Sequence, residues 1–541
     1  MNHKVSPTVF AIMLAAPLFA TVRYVVPSGT DGNVPTSPYD SWETAANDMK
    51  TAIGASSAGD SVYVAPGIYA VDETLNVTKQ LTIKSVNVQT GNEDRENTIL
   101  DGGGTTAIMA ASAQGATISG FTFANAYAAS ETSVENNPST GGAALFISAN
   151  DVAVSNCIFR GNGSSNVVGT CIFTKGTQTT ISDSVFTNNT QVGSGYVAGT
   201  AIYTLVGIGA STEDLYCKIV GCKFQDNRAT GTHSNGSLLH ARYGRTVIDG
   251  GSILTNSFTH LSSGGAAANI GGGIVYVAGG AASAIRNCYI SCNAIDSSEY
   301  HTYGSLMTLA GDCTISNCTF TAIKDDKTSK AGGTIRITGD NVNFIGCRFL
   351  RNSVTAGYGF IYVYKKSGPL FRNCLFAKNV RSGGNCSMIR QDTCTGENGL
   401  MVENCTFADN SDSISAGLFG FTGTSTCKNY FENSVFTASV SAGTTTVARN
   451  CCMVSLLGGV EDSGNFTIES VGGVSNLFAD FANGDYTVQR RSPLNDRGLV
   501  LSWMTRGATD IDGNRRVVSG VPDIGCYECQ IRAPGFSVFV R

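Results

Sequence analysis

The sequence predicts an all-β chain: a right-handed parallel β-helix solenoid of about twelve coils with an N-terminal capping helix. Three observations carry this. First, a nine-residue word recurs twelve times, most clearly as VSNCIFRGN from Val154, FRNCLFAKN from Phe371 and VENCTFADN from Val402. Its sixth position is always large and apolar: Phe123, Phe159, Phe186, Phe224, Ile253, Ile290, Phe320, Phe349, Phe376, Phe407, Phe436 and Met453, at steps of 27 to 38 residues before a last step of 17. A repeat of that period marks a stacked architecture, and its β-branched and aromatic content favours strands over helix pairs. Second, the third position is Asn (156, 287, 317, 373, 404, 433, 450), Gly (120, 221, 250, 346) or Asp (183). These residue types tolerate a left-handed backbone, so each copy bends there and resets the in/out alternation. Positions one, four and six then all face inward, while Asn at position nine of eight copies supplies a second turn. Third, a Gly-led strand precedes most copies (GAALFIS from Gly142, GTAIYTL from Gly199, GGTIRIT from Gly332). Its fourth residue forms a second inward column: Leu145, Ile172, Ile202, Leu239, Val275, Met307, Ile335, Ile361, Ile389 and Phe419. Parallel crossovers wind right-handed, and roughly 4.8 Å per coil gives a rod of about 55–60 Å.

Taken in order, residues 1–20 read as a signal peptide: Lys4, an apolar stretch from Val9 to Ala20, and Ala20 as the cleavage point. No other apolar run reaches the roughly 20 residues that span a bilayer. Residues 21–75 hold a strand and loop (YVVPSGTDGN from Tyr24), then a helix expected over Ser41–Ile53, with Trp42, Ala45, Ala46, Met49 and Ile53 on one face. That helix would cover the open end of the first coil, AGDSVYVAPGIYAV, and shield its strand edges. Residues 76–470 form the solenoid. Its longer coils carry the loops Ala126–Thr140, Tyr196–Gly199, Thr230–Ser237 and Ile295–Gly304, expected to project and to be where a site is built. From about Asn476 the pattern changes, and residues 471–541 form a C-terminal module.

These words carry a resemblance. The chain resembles the right-handed parallel β-helix, pectate-lyase-like superfamily over roughly residues 60–455. Its paired words GGAA (Gly141), GGGI (Gly271), GGTI (Gly332) and FRGN, FTNN, FQDN, FLRN, FAKN, FADN resemble the GGxI/FxxN repeats of polymorphic outer-membrane protein passengers. The run GDSVYVAPGIY is similar to the N-terminal cap of secreted bacterial β-helix proteins. FADFANGDYTVQRRSPLNDRG with TDIDGNRRVVSGVPDIGCYE resembles a choice-of-anchor module, which implies surface association and leaves the attachment mode open. The fold hosts lyases, hydrolases, tailspikes and adhesins alike, so it does not choose a function.

Charged residues are only 14% of the chain and glycines number 64, suiting short strands and polar turns. A net charge of −5 with no long basic run argues against nucleic acid as a partner. Eight of the 18 cysteines share one repeat slot (Cys157, Cys222, Cys288, Cys318, Cys347, Cys374, Cys405, Cys451). A slot that wants a small inward residue predicts a reduced thiol ladder; Cys386 with Cys394 is the pairing expected elsewhere.

One residue beyond the second inward column stand Phe146, Phe173, Tyr203, His240, Tyr276, Thr308, Arg336, Tyr362 and Arg390, an outward strip at coil spacing. Tyr358, Phe360, Tyr362 and Tyr364 alternate along one of its strands. Rings flanked by Arg and His suit a sugar-binding platform, and Tyr203, His240, Tyr276, Arg336, Tyr362 and Arg390 are the candidate binding residues. Stacking of like side chains between strands also accounts for the strip with no ligand, and the residues alone favour that account. Asp325 and Asp326, flanked by lysines, read as a solvated turn rather than the carboxylate pair of a glycosidase. DIDGN at Asp510 reads as a β-turn, since Gly and Glu are misplaced for a calcium loop. Cys526 and Cys529 lack the second pair of a zinc site. No catalytic residue, metal ligand or cofactor is assigned. The sequence leaves two functions open: an exported, monomeric bacterial surface protein, adhesin-like or glycan-binding and without turnover, which is the reading it favours, or a polysaccharide lyase or glycoside hydrolase built among the long loops.

Overall fold

The computed structural model describes residues 20–130, 141–207, 215–260, 270–271, 273–278, 283–296, 302–325, 332–354, 358–364, 368–382, 386–394, 396, 398–412, 417–422, 427–441, 446–457 and 461–531. The apolar stretch 9–19, Asp326 and the tips of the 126–140 and 295–304 loops lie outside them. Among the described residues, three long sheets of 16, 15 and 12 strands run the length of the molecule, with shorter sheets of six and four. Neighbouring strands in each sheet come from successive coils. In the 15-strand sheet, for example, Ile158–Arg160 lies between Thr122–Ala124 and Val185–Thr187, parallel and in register. The chain is therefore a parallel β-helix, and no helix among the described residues is long and apolar enough to cross a membrane.

The repeat explains this winding residue by residue. All twelve corner residues adopt positive φ, from 49° at Asp183 and Asn450 to 77° at Gly120. Each corner joins a strand of the 16-strand sheet to one of the 15-strand sheet. Around Asn156, Val154, Cys157 and Phe159 thus all reach the core with no exposure. The sixth-position side chains are buried in every copy. Their rings stack along the axis, with centroids 4.9, 4.7 and 4.9 Å apart through Phe123, Phe159, Phe186 and Phe224 and 4.4 Å through Phe349, Phe376 and Phe407. Each buried Phe contributes about 1.5–3 kcal/mol by transfer, and each stacked pair roughly another 0.5–1.5.

Position nine does more than turn the chain. The left-handed residue is its predecessor (Gly161, Asn188, Asp226, Thr255, Cys292, Arg351, Lys378, Asp409), and the Asn itself turns inward. Asn162, Asn189, Asn227, Asn256 and Asn293 form a ladder in which each Nδ2 donates to the next Oδ1 at 2.8–3.1 Å. Those same Oδ1 atoms accept the backbone N–H one coil back, and Nδ2 also reaches a carbonyl, as Asn189 does to Phe159 at 2.9 Å. Asn352, Asn379 and Asn410 repeat the device. Full satisfaction is what lets a polar amide lie in the core.

The ends differ from expectation. The capping helix is Met49–Ala55, not Ser41–Ile53. Asp48 caps it, accepting from Thr51 N at 2.7 Å. The preceding residues do not wind into the helix because Ala46 bridges Val25, exchanging bonds with Tyr24 and Val26 at the sheet edge. Met49, Ala52 and Ile53 still close the first coil. At the other end, residues 469–531 fold back along the 15-strand sheet. There Leu477, Phe478, Tyr486, Leu494 and Ile524 pack on Leu375, Ala377, Ala408 and Val435. Corner asparagines dock this segment: Asn373, Asn404, Asn433 and Asn450 donate to the carbonyls of Thr509, Asp523, Leu499 and Arg497 at 2.7–3.2 Å.

The eight slot cysteines are buried free thiols that donate to nearby carbonyls, as Cys374 does to Phe344 at 3.3 Å. The disulfide joins Cys394 to Cys427, and Cys386 is free. The separation of 33 residues is one coil, so the partner is the stacked neighbour rather than a residue of the same coil.

Candidate functional site

The strip stands on the outer face of the 12-strand sheet. Register places Phe146 on Phe173, Phe173 on Tyr203, Tyr203 on His240, His240 on Tyr276, Tyr276 on Thr308, Thr308 on Arg336, Arg336 on Tyr362 and Tyr362 on Arg390. The glycines of the repeat words make room for it. A Cβ on Gly236 would sit 2.8 Å from that of Tyr276, and one on Gly333 2.8 Å from that of Tyr362.

The strip is not one open platform. Tyr203 and His240 are 0% and 2% exposed and Tyr362 is 4% exposed, whereas Tyr276, Arg336 and Arg390 are half-buried. The cause in the first half is the inserted chain. Tyr196–Val197 pairs with His233–Ser234 instead of projecting, and Val168, Tyr196 and Ala198 pack over Phe173 and Tyr203. His240 is sealed in this stack, 4.6 Å from the Tyr203 ring and 4.9 Å from Tyr276. Its Nδ1 meets the Asn235 carbonyl and lies 3.4 Å from the Tyr196 hydroxyl. Burial pushes its pKa down to about 3, so the imidazole is neutral and acts as a flat ring.

The second half is a band of guanidinium and phenol groups. The Arg336 guanidinium lies 4.9 Å over Tyr364, and that of Arg390 lies 4.3 Å over Tyr358. Tyr362 stands between, 5.1 Å from Tyr358 and 6.0 Å from Tyr364. Its hydroxyl donates to Asp392 Oδ2 at 3.1 Å, and Thr422 Oγ1 donates to the other carboxylate oxygen at 3.2 Å. Burial, then the Asp392 charge, raises the Tyr362 pKa above the ordinary phenol range. Tyr362 is therefore a hydrogen-bond donor at neutral pH and a poor base. Phe360 does not join its alternating neighbours; it turns into the core against Phe349.

Asp392 was not singled out by the sequence reading, although its offset of two from Arg390 puts it on the same face. Arg242 and Tyr243, with the guanidinium 5.5 Å from the ring, are a second missed pair, set beside Tyr203 and Tyr276 by a local shift in register at Leu205. Asp325 is not merely solvated: it accepts from Ser305 Oγ at 2.6 Å and Thr334 Oγ1 at 3.0 Å. DIDGN is a turn whose Asp510 carboxylate accepts from the backbone of Asp512, Asn514 and Glu528. Among the described residues no three His, Cys, Asp or Glu side chains converge as metal ligands.

Comparison with known proteins bears on the scaffold. A family model described as "Right handed beta helix region" matches residues 272–456, a span that contains the open band. No curated protein matches the sequence. Solved structures with a similar course include the A-module of the Azotobacter vinelandii mannuronan C-5 epimerase AlgE6 (12% identity, 74% of this chain and 95% of that one, TM-score 0.32). The catalytic domain of a GH87 α-1,3-glucanase with nigerose is 11% identical over 82% of this chain and 66% of that one, with a TM-score of 0.34. Pectate lyase Pel9A is 13% identical over 94% of this chain and 96% of that one, with a TM-score of 0.27. The sheets and the matched region together make this protein a right-handed parallel β-helix.

Proposed function

We propose that this protein binds polysaccharide along the band from Tyr276 to Arg390, that acidic sugars are its ligands, and that it does so outside the cell. The observation that carries the reading is the pair of guanidinium groups, Arg336 and Arg390, placed over the rings of Tyr364 and Tyr358. Rings offer apolar faces to the C–H faces of sugars, and a guanidinium recognises a carboxylate through its planar fork. The apolar stretch Val9–Ala20 and the likeness of residues 471–541 to a surface-association module support display at a cell surface. Polymorphic outer-membrane-like repeats fit an adhesin.

A second reading, a polysaccharide lyase or hydrolase on the same band, draws on Asp392 held between Tyr362 and Thr422, a carboxylate and phenol flanked by arginines. The raised Tyr362 pKa favours binding over proton abstraction. The test is affinity electrophoresis of the protein through gels carrying polyuronate, sulfated or neutral glucan. Retardation by an acidic polymer, lost in Arg336→Ala/Arg390→Ala, is expected; equal migration of parent and variant in every gel sinks the reading. Unsaturated or reducing ends released from the same polymers, and lost on Asp392→Asn, would install the enzyme instead.

A further inference from the structure

A different cavity lies on the opposite flank, where the C-terminal segment meets the 15-strand sheet. Its volume is about 200 Å³, below the roughly 300–1,000 Å³ of drug-sized sites and suited to one small ring or an inorganic anion. Its floor is Leu350, Leu375 and Ala377, adjacent in two strands of the sheet. Its rim is cationic: Arg348, Arg351 and Lys378 line it, with Tyr486 and Tyr527 from the returning segment and no Asp or Glu.

The three cations are unequal. Arg348 is tied to Asp512 at 2.6 Å and to the Ile511 carbonyl at 2.9 Å. Arg351 and Lys378 form no salt bridge among the described residues. Both occupy the left-handed eighth position of the repeat, φ 54° and 55°, one coil apart. The sequence assigns a turn to position nine and no role to these eighth positions. The returning segment is shaped around Lys378: a Cβ on Gly484 would lie 2.8 Å from its ammonium. Burial, then the charge of Asp409 and a hydrogen bond to it, push the Tyr486 phenol up to about 12, so at neutral pH it keeps its proton.

We infer that this seam is a binding site for a single anionic group, a carboxylate- or sulfate-bearing sugar unit or the free anion, held by Arg351 and Lys378 beside the Tyr486 phenol. Two cations that form no salt bridge among the described residues, over an apolar floor closed by phenols, select negative charge on a flat body and reject its neutral analogue. The site uses none of the strip residues and does not rest on the band's function.

The test is calorimetric titration of the full chain at low salt with sodium glucuronate, inorganic sulfate and methyl glucoside. Glucuronate or sulfate is expected to bind and to raise the melting temperature, with methyl glucoside silent. Arg351→Asn/Lys378→Asn, which keeps residues that tolerate positive φ, should weaken anion binding at least tenfold, while Arg160→Ala, an exposed cation of the same sheet outside the cavity, leaves it unchanged. Sulfate binding without glucuronate assigns the site to a free anion, and the reverse to a sugar acid. The inference falls if neither anion binds, if the double variant binds as tightly as the parent, or if methyl glucoside binds equally.

Discussion

Tyr203–His240 and Arg336–Arg390 occupy one column of one sheet, built by the same repeat, and their surroundings are opposite. In the first, inserted chain crosses the face and the rings become a second small core. In the second, the guanidinium groups stack equally closely on Tyr364 and Tyr358, and all four side chains remain half-exposed around a buried Tyr362. Coil-to-coil stacking thus fixes where an outward side chain stands, and the excursion between strands decides whether it meets protein or solvent. The same residue types are sealed under protein in one half and reach the surface in the other.

The largest difference should appear on truncation. Tyr203→Ala opens a cavity in a sealed stack and should cost about 3–5 kcal/mol, read as a lower denaturation midpoint. Arg336→Ala, at a half-exposed site, should cost no more than about 1 kcal/mol while removing polyuronate binding. Equal destabilisation by the two would erase the distinction between the halves.

Acid should also act on the covered half. The His240 pKa is about 3 in the fold, against 6.5 ordinarily, because burial excludes the charged ring, with Arg242 adding repulsion. The unfolded chain therefore takes up the proton first. Stability is full above about pH 7 and falls as the pH drops through 6.5 toward 3, by about 2 kcal/mol at pH 5. Hydrogen exchange at Leu239–Tyr243 should accelerate between pH 7 and 5 after correction for intrinsic rates. His240→Phe should flatten that response, and a response unchanged in this variant would place its source elsewhere.

A smaller effect probes the glycines that seat the strip. Gly236→Ala and Gly333→Ala each bring a Cβ within 2.8 Å of the Cβ of a strip tyrosine, and overpacking of this kind costs about 1–3 kcal/mol. Gly236 adds the strain of φ 61°, so its substitution should be the worse of the two in thermal denaturation. The reverse order would point to local adjustment of the Tyr276 strand.

How far the sequence was legible follows from the range of the interactions. The corners and the Phe column could be read because each is enforced locally, by a left-handed residue and by alternation, and then repeated. The strip's membership was legible for the same reason. Its burial was not: what covers Tyr203 is Tyr196, whose position depends on pairing with His233–Ser234 a coil away. The helix start failed in the same way, since Trp42 to Ala46 have helical spacing but Ala46 is captured by the edge of Val22–Val25. Cys394 was paired within its coil when its partner is stacked above it. Asp392, two residues beyond Arg390 on the same face, was within reach of the same alternation, whereas the cationic seam needed the third dimension to bring residues 348–378 against 483–527.

The smallest expected effect bears most directly on the open half. If the Tyr364 ring orients Arg336 by cation–π attraction, about 0.5–1 kcal/mol is at stake at such an exposed site, equivalent to a two- to fivefold change in affinity. Tyr364→Leu should weaken polyuronate binding by that factor with no change in melting temperature, since the ring lies outside the core. Tyr364→Phe keeps the π face and removes only the hydroxyl, so it should bind as the parent does. Equal losses in Leu and Phe would mean that the hydroxyl, not the ring face, contacts the sugar. No loss in either would mean that Arg336 is placed by its own strand, and that the band differs from the covered half only in being uncovered.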